Sequence, residues 1–476
     1  MYLSKQSFLV FGLSKSGCAA AEFLLSQSAT TFIYDEFNTE RIERTVDSLV
    51  ERGAKRVKKE DLSHMVDYCD GLVLSPGIPI DHPLAVAFKR RGRAVISEME
   101  LASRFMRCPI IAVTGTNGKT TTVSMISEIL QKGNFNVKQC GNIGVPMIEY
   151  YDLSKEEIAV AEVSSFQCET LQSLRPHIAV VLNISEDHLN RHYNMENYVF
   201  LKSKLLKNGT ETEYAVLNYD DEIVRSFAEK TRSQILYFSL RERVRGAFYE
   251  NGFLYFGKEK IISVGDLPVG GLHNVQNALA AIVCAKIMGV KNEDIASALT
   301  EFKGIKHRIE SLGEVNGVAY IDDSKGTNVD ATIKAIESMT KETILLLGGK
   351  DKGYDYGKLF SVLPKTKIVH LVLYGENRFS LLKSAREYAY DNFTLCENFD
   401  FAVRVAMLKA KHGQCVLLSP ASASFDEFVN YEERGDKFVE IVRSFHVDDG
   451  RGEQSDQPAF DEEASEEEIV LEEDVE

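Results

Sequence analysis

Short runs of apolar, β-branched residues recur along the chain. Three of them run straight into a glycine loop followed by a segment of helical period: FLVFGLSKSG (8–17), IIAVTGTNGKT (110–120) and ILLLGGKDKG (344–353). Runs of the same kind lie at 30–36 (TTFIYDE), 71–77 (GLVLSPG), 157–165, 177–185, 370–375 and 414–422. Strands apolar on both faces, alternating with helical segments, predict parallel sheets covered by helices. The fold class expected is α/β, with three domains built alike. The first unit ends near VISEMEL (95–101), giving 1–97. The second runs to about EFKGIKHR (301–308), giving 98–304. The third opens with the strand VAYIDDS (318–324) and fades after FVEIVRSF (438–445), giving 305–446. Ligands of such sheets gather at the carboxyl ends of strands, where the glycine, serine and aspartate loops fall.

Charge changes this picture only at one end. The 476 residues carry 71 acids and 55 lysines and arginines, a net of −16. Residues 447–476 hold fourteen acids and one arginine, a net of −13, which leaves −3 for the rest. That composition predicts a disordered acidic tail, an inert solubilising extension rather than a partner-binding one. A body near neutrality offers no basic stripe for nucleic acid. The apolar runs at 177–184 and 278–290 are too short or too interrupted to span a bilayer, and no leader pattern opens the chain. Eight scattered cysteines without a C-x-x-C pair predict reduced thiols in a cytoplasmic protein, with neither disulfide frame nor zinc. A monomer handling small molecules is expected.

The loops supply the candidate chemistry. In GTNGKT, the backbone N–H groups of Gly115, Thr116, Asn117 and Gly118 can meet phosphate oxygens at a helix N-terminus, with Thr121 in its first turn. Lys119 adds charge near the β- and γ-phosphates and Thr120 can ligate Mg²⁺. The loop is shorter than G-x-x-x-x-G-K-[ST], which would need glycine at Val113. Downstream, Glu162 closes one apolar strand and His188 follows another; carboxylate and imidazole suit one and a second divalent ion, or are structural. Tyr198 and Lys202 stand four apart on one helix face, and spacing alone reads as a solvated amphipathic helix. Asn274 is a helix cap or, with Asn277, a reader of a base edge. In GLSKSG, Ser14 replaces the second glycine of a dinucleotide fingerprint, and Asp35 ends the next strand where a ribose contact would sit. Those residues allow NAD, another nucleotide or a plain turn. The SPG turn (Ser75–Gly77) adds N–H groups to a phosphate, or is only a turn. In the third unit Arg308, DDSKGTN, GGKDKG and SPASASFDEF place cations and hydroxyls at strand ends. No Ser-His-Asp or Cys-His nucleophile arrangement is present, so phosphoryl transfer is expected over an acyl-enzyme.

Together GTNGKT, GNIG (141–144), EVSSFQ (162–167), NISEDHL (183–189), the Tyr198/Lys202 pair, HNVQNALAA (273–281), KHR (306–308), DDSKGTN and GGKDKG resemble the Mur ligases, the ATP-dependent amide-forming enzymes of peptidoglycan precursor synthesis. The resemblance covers about residues 5–445. SPASASFDEF, YEERG (431–435) and GGKDKG look most like the members that add D-glutamate to UDP-N-acetylmuramoyl-L-alanine (UDP-MurNAc-L-Ala). It implies a Rossmann-like UDP-binding domain, a central P-loop ATPase-type sheet and a Rossmann-like amino-acid-binding domain. It further implies UDP contacts from Ser14, Lys15, Ser16, Gly17, Asp35, Ser75 and Gly77, with Ser164 and Gln167 near the sugar or its alanyl carboxylate. ATP would meet residues 115–121, Asn274, Asn277, Arg308 and Asp323, and Asn142 would join Glu162 at the metal–phosphate site. Two Mg²⁺ ions would use Thr120, Glu162, His188 and a carbamylated Lys202, His188 being either ligand or base. D-glutamate would meet Lys325, Thr327, Lys352, Ser424 and Phe425. Rival readings are a folylpolyglutamate synthetase-like sibling, a non-catalytic nucleotide-binding regulator, and an NAD oxidoreductase.

Overall fold

The structure is a computed structural model, and it describes residues 3–37, 39–269, 271–351, 353 and 355–444. The expected acidic tail and Lys352 lie outside the described residues. The chain divides into two compact units, one ending at Lys306 and the other beginning at His307.

Among the described residues the first unit holds two sheets. One is parallel throughout, in the order Lys55–Arg56, Thr30–Tyr34, Ser7–Phe11, Gly71–Leu74, Ala94–Ile96. The chain reverses its direction of travel across this sheet between Ser7–Phe11 and Gly71–Leu74. The GLSKSG and SPG loops therefore emerge side by side at a topological switch point. The second sheet is parallel through Gly246–Glu250, Gln234–Ser239, Tyr214–Asn218, Ile178–Val181, Ile110–Thr114, Glu157–Glu162 and Asn136–Gly141. Phe253–Phe256 and Glu259–Ser263 extend its edge as antiparallel strands, which the run-by-run sequence reading did not anticipate.

Burial explains the unbroken apolar runs. All five residues of Ile110–Thr114 and all four of Ile178–Val181 are buried, because helices cover both faces. Helix Lys119–Lys132 follows the first of these strands and packs Val123, Ile126 and Leu130 into the same core as Leu279 and Val283 of helix Leu272–Ile287. That second helix is apolar almost all round because it lies inside, and its burial at about 1.5–3 kcal/mol per large side chain anchors the central sheet. A separate core joins Val10, Phe23 and Leu24 below the first sheet to Ala161, Leu171 and Leu205 below the second.

The second unit has a sheet of its own, in the order Glu310–Val315, Val318–Asp322, Cys415–Leu418, Thr343–Gly348, Ile368–Tyr374, Phe393–Leu395. Its first strand is antiparallel and the rest are parallel. Cys415–Leu418 lies between Val318–Asp322 and Thr343–Gly348, so DDSKGTN, SPASAS and GGKDKG open at neighbouring strand ends. The eight cysteines are all free. No helix among the described residues is long and apolar enough to cross a membrane.

Candidate active site

The glycine loop sits between the ends of Glu157–Glu162 and Ile178–Val181. Gly118, with φ of +83°, caps helix Lys119–Lys132 and supplies no capping side chain. The first N–H groups of that helix therefore have no side-chain cap, the arrangement an anion needs. A side chain at 118 would be strained by that φ and would collide with Asn277 Oδ1. Two other loop amides are already committed: Thr116 N donates to the Asn183 carbonyl (2.9 Å) and Asn117 N to Asn183 Oδ1 (2.8 Å). Asn183 thus does what additional loop residues would otherwise do, and this explains how so short a loop keeps its shape.

Glu162 is 2% exposed, yet both its oxygens have partners. Oε2 accepts from Thr120 Oγ1 and Oε1 from Asn142 Nδ2, each at 2.8 Å. Asn142 N also donates to the Glu162 carbonyl (2.9 Å), with Gly141 at φ +101° beside it. Lys119 Nζ donates to the carbonyls of Gly115 (3.0 Å) and Thr116 (2.9 Å). Lys202 Nζ donates to the same Gly115 carbonyl at 2.8 Å. Two cations therefore converge on one turn of backbone.

The bland reading of the Tyr198/Lys202 helix is overturned. Both residues are 1% exposed, on the inner face of Met195–Ser203. The Tyr198 hydroxyl meets Thr116 Oγ1 at 3.1 Å and its ring lies 4.8 Å from Lys202 Nζ. Burial, with Lys119 adding like charge, pulls the Lys202 amine down to about 7. His188 starts the short helix Leu189–His192 in a left-handed conformation (φ +53°) and is half exposed. Burial depresses its pKa, Asp187 opposes and the two lysines reinforce, so it stays neutral near pH 7.

Other predicted residues have structural partners. Ser164 and Gln167 form a capping box on the helix Ser165–Cys168. Asn274 is not a cap: Gly271 caps Leu272–Ile287, and Asn274 Oδ1 accepts from Asn277 Nδ2 at 3.3 Å. Asp35 accepts from Leu13 N (2.5 Å) and Phe37 N (2.9 Å), fixing the GLSKSG turn. Ser75 Oγ donates to the Gly12 carbonyl (2.7 Å), and Gly17 is buried so close to that carbonyl that no Cβ would fit. Ser14 and Lys15 are exposed and Ser16 half-buried; Lys15 Nζ donates to the Gly144 carbonyl. Gly77 is exposed.

In the second unit Asp323 is buried and accepts from Ser419 Oγ at 2.7 Å. Burial lifts its carboxyl to about 7, with the Ser419 bond and Arg308 opposing the rise. Lys325 lies 5.7 Å from the Tyr431 ring, Thr327 is half-buried, Ser424 is buried and Phe425 is exposed. Arg434 is fully buried and ties two loops together, donating to Ser324 Oγ (3.0 Å) and to the carbonyls of Ser324 (2.8 Å) and Ser422 (3.1 Å). Asn377, unmarked by any motif, accepts from Gly349 N (2.9 Å) and donates to Ser422 Oγ (2.7 Å), and so shapes the GGKDKG loop.

Three stretches match known domain families: Mur ligase MurD-like, N-terminal domain over residues 6–97, Mur ligase middle domain over 113–285, and Mur ligase, glutamate ligase domain over 307–422. The chain belongs to the Mur ligase family. It is 39% identical over 454 residues to the UDP-N-acetylmuramoylalanine–D-glutamate ligase of Pelotomaculum thermopropionicum, covering 93% of this chain and 98% of that one. It is 38% identical over 450 residues to the enzyme of the same name from Caldanaerobacter subterraneus, covering 93% and 99%. The fold is shared with the crystal structure of UDP-N-acetylmuramate-alanine ligase from Thermotoga maritima, with a TM-score of 0.58 at 17% identity over 92% of this chain and 100% of that one. This Mur ligase thus has the three-sheet α/β architecture that its loops predicted.

Proposed function

We propose that this Mur ligase joins D-glutamate to UDP-MurNAc-L-Ala, using ATP and Mg²⁺, in the cytoplasmic synthesis of peptidoglycan precursors. The observation that carries the reading is the convergence of Lys119 and Lys202 on the Gly115 carbonyl beside an uncapped helix N-terminus, together with the Thr120–Glu162–Asn142 cluster. The full-length similarity to ligases of that name supports the choice of amino acid.

A carboxylate is a poor electrophile. In this reading the alanyl carboxylate attacks the γ-phosphorus of ATP, the bond to the bridging oxygen breaks, and ADP leaves an acyl phosphate. The amine of D-glutamate then attacks the acyl carbon, phosphate departs and the amine gives up a proton. Such transfers need charge neutralisation and in-line placement more than a nucleophilic side chain. The loop 115–121, less the Thr116 and Asn117 amides that Asn183 already takes, grips the phosphates, and Lys119 follows the charge that develops on them. Asn274, Asn277, Arg308 and Asp323 hold the rest of ATP. Lys15, Asp35, Ser75 and their turns hold UDP, and Lys325, Thr327, Lys352, Ser424 and Phe425 receive D-glutamate.

The oxygen pair of Thr120 and Glu162 is the hard donor set Mg²⁺ requires. Bound there, Mg²⁺ would neutralise phosphate charge. An ammonium at Lys202 has no lone pair to offer a second ion, and its neutral amine is a nitrogen donor that the hard Mg²⁺ ion takes poorly. Attack of the neutral amine on CO₂, with loss of one proton from nitrogen to solvent, would give an anionic carbamate, and the neutral amine that reaction needs is available near pH 7. His188 and the Lys202 carbamate would then hold the second ion.

The deciding assay is phosphate release with ATP, Mg²⁺ and UDP-MurNAc-L-Ala, comparing D-glutamate, L-glutamate, L-lysine and diaminopimelate. Turnover is expected with D-glutamate alone. Equal turnover with L-glutamate, or a requirement for a folate in place of the sugar nucleotide, overturns the reading.

A further inference from the structure

The segment that carries His188 is tied to the first sheet by a side chain that no phosphate or metal contact explains. Arg191, in helix Leu189–His192, is 14% exposed and its donors are distributed over five acceptors. Nε and Nη2 donate to the buried Glu169 carboxylate at 2.9 and 2.7 Å. Nη1 donates to the carbonyl of Gly77 at 3.2 Å, and Nη2 to those of Pro76 and Ile78 at 3.3 and 2.8 Å. One guanidinium thus gathers three consecutive carbonyls, two of the SPG turn and that of Ile78 just after it. Its plane also faces Phe166 (5.1 Å), whose ring stands 4.9 Å from that of His188.

A second tie runs beside it. The Tyr193 hydroxyl donates to Asp81, just beyond the turn. His188 and Tyr193 flank the helix at φ of +53° and +69°, a conformation that such side chains rarely adopt. A segment of four helical residues between two left-handed ones keeps that shape because its surroundings impose it. The turn is fixed on its other side by Ser75 Oγ on the Gly12 carbonyl. Shifting the turn therefore shifts His188, and the reverse.

We propose that Arg191 is a positioning residue that makes the Pro76–Ile78 turn and the His188 site one mechanical unit. Sugar-nucleotide binding at the turn and Mg²⁺–nucleotide binding in the central sheet then strengthen each other. The inference rests on the proposed function, which assigns UDP to the turns that include Ser75 and the second ion to His188. Lysine cannot replace the residue, because a single ammonium lacks the planar fork that spans a carboxylate and three carbonyls.

Calorimetric titration of the full chain with UDP-MurNAc-L-Ala, with and without Mg²⁺ and a non-hydrolysable ATP analogue, tests it. In the wild-type chain the analogue is expected to tighten sugar-nucleotide binding at least fivefold, and the sugar nucleotide to tighten analogue binding by the same factor. In Arg191→Met and Arg191→Lys that ratio falls below two. Tyr193→Phe, which removes only an exposed hydrogen bond, lowers it partway and serves if the arginine variants lose their native circular dichroism. A wild-type ratio of one, or a ratio kept in the folded arginine variants, overturns the inference alone. So does an unchanged ratio in Tyr193→Phe where the arginine variants are unfolded. Absence of any sugar-nucleotide binding by the wild-type chain overturns the proposed function with it.

Discussion

Lys202 differs from a surface lysine in its proton, not only in its place. Burial and Lys119 bring its amine to about 7, so the neutral form grows as the pH rises through 7. Carbamate formation should follow the same curve. With ¹³C-bicarbonate, a carbamate resonance is expected above pH 7, fading below it and absent from Lys202→Arg. Lys202→Ala should lose activity by about a hundredfold or more, the scale of removing a charged transition-state contact. Short carboxylic acids should restore part of it by standing in for the missing anion; no rescue would count against a carbamate there. At Gly118 both the positive φ and the Asn277 side chain oppose a Cβ. Gly118→Ala should bind an ATP analogue at least tenfold more weakly by calorimetry, with a stability loss of about 1 kcal/mol. Lys119 and Gly118 were legible from the glycine loop they share, and Glu162 because it closes an apolar strand, although its partners Thr120 and Asn142 lie 42 and 20 residues away. The ties of Asn183 to Asn117 and of Arg191 to the Pro76–Ile78 carbonyls were not legible, since they span 66 and more than 110 residues.

At the level of elements, helix Glu98–Ser103 begins with a carboxyl that faces another element. Glu98 Oε1 accepts from Ile148 N at 2.6 Å, at the 3₁₀ turn Met147–Tyr150. Burial lifts this carboxyl to about 7, the Ile148 bond opposing. The sign follows: between the ordinary carboxylate range and 7 the folded chain holds a proton that the unfolded chain has released, so stability falls as pH rises through that window. Glu98→Gln keeps the acceptor without the charge. Its melting temperature relative to wild type should therefore rise from pH 5 to pH 8; a constant difference would refute the ionisation. The parallel strands were readable because residues buried on both faces leave an unbroken apolar run. The edge hairpin was passed over because Gly246–Glu250 and Phe253–Phe256 are runs of only five and four residues and no glycine-loop motif follows them. Yet Asn251-Gly252, both at positive φ, is the two-residue turn that joins such strands. Tyr198 and Lys202 illustrate the converse: four-residue spacing names a shared face, and only packing says whether that face looks inward.

Across the whole molecule the cores define what unfolds together. Apolar clusters of the first unit run continuously from the first sheet to the second, whereas those of the second unit draw only on residues from Ile309 to Val442. Calorimetry should resolve two transitions, not three. Arg434 lies wholly inside the second unit, where its loss leaves buried carbonyls of Ser324 and Ser422 without a donor. Arg434→Met should destabilise that transition by on the order of 3 kcal/mol and leave the other in place. The α/β class and the order of the loops were legible along the whole chain. The buried network of Arg434 and Asn377 was not, because it is assembled from loops far apart in sequence.

The partnership between the short glycine loop and Asn183 limits how this machinery can be moved. In this chain the six residues of GTNGKT keep their shape with an asparagine from a neighbouring strand end accepting from two of their amides. Grafted into another parallel sheet without that asparagine, the hexapeptide would relax into an ordinary turn. The portable unit is a pair of adjacent strand ends, and any transplant or ancestral reconstruction must carry both.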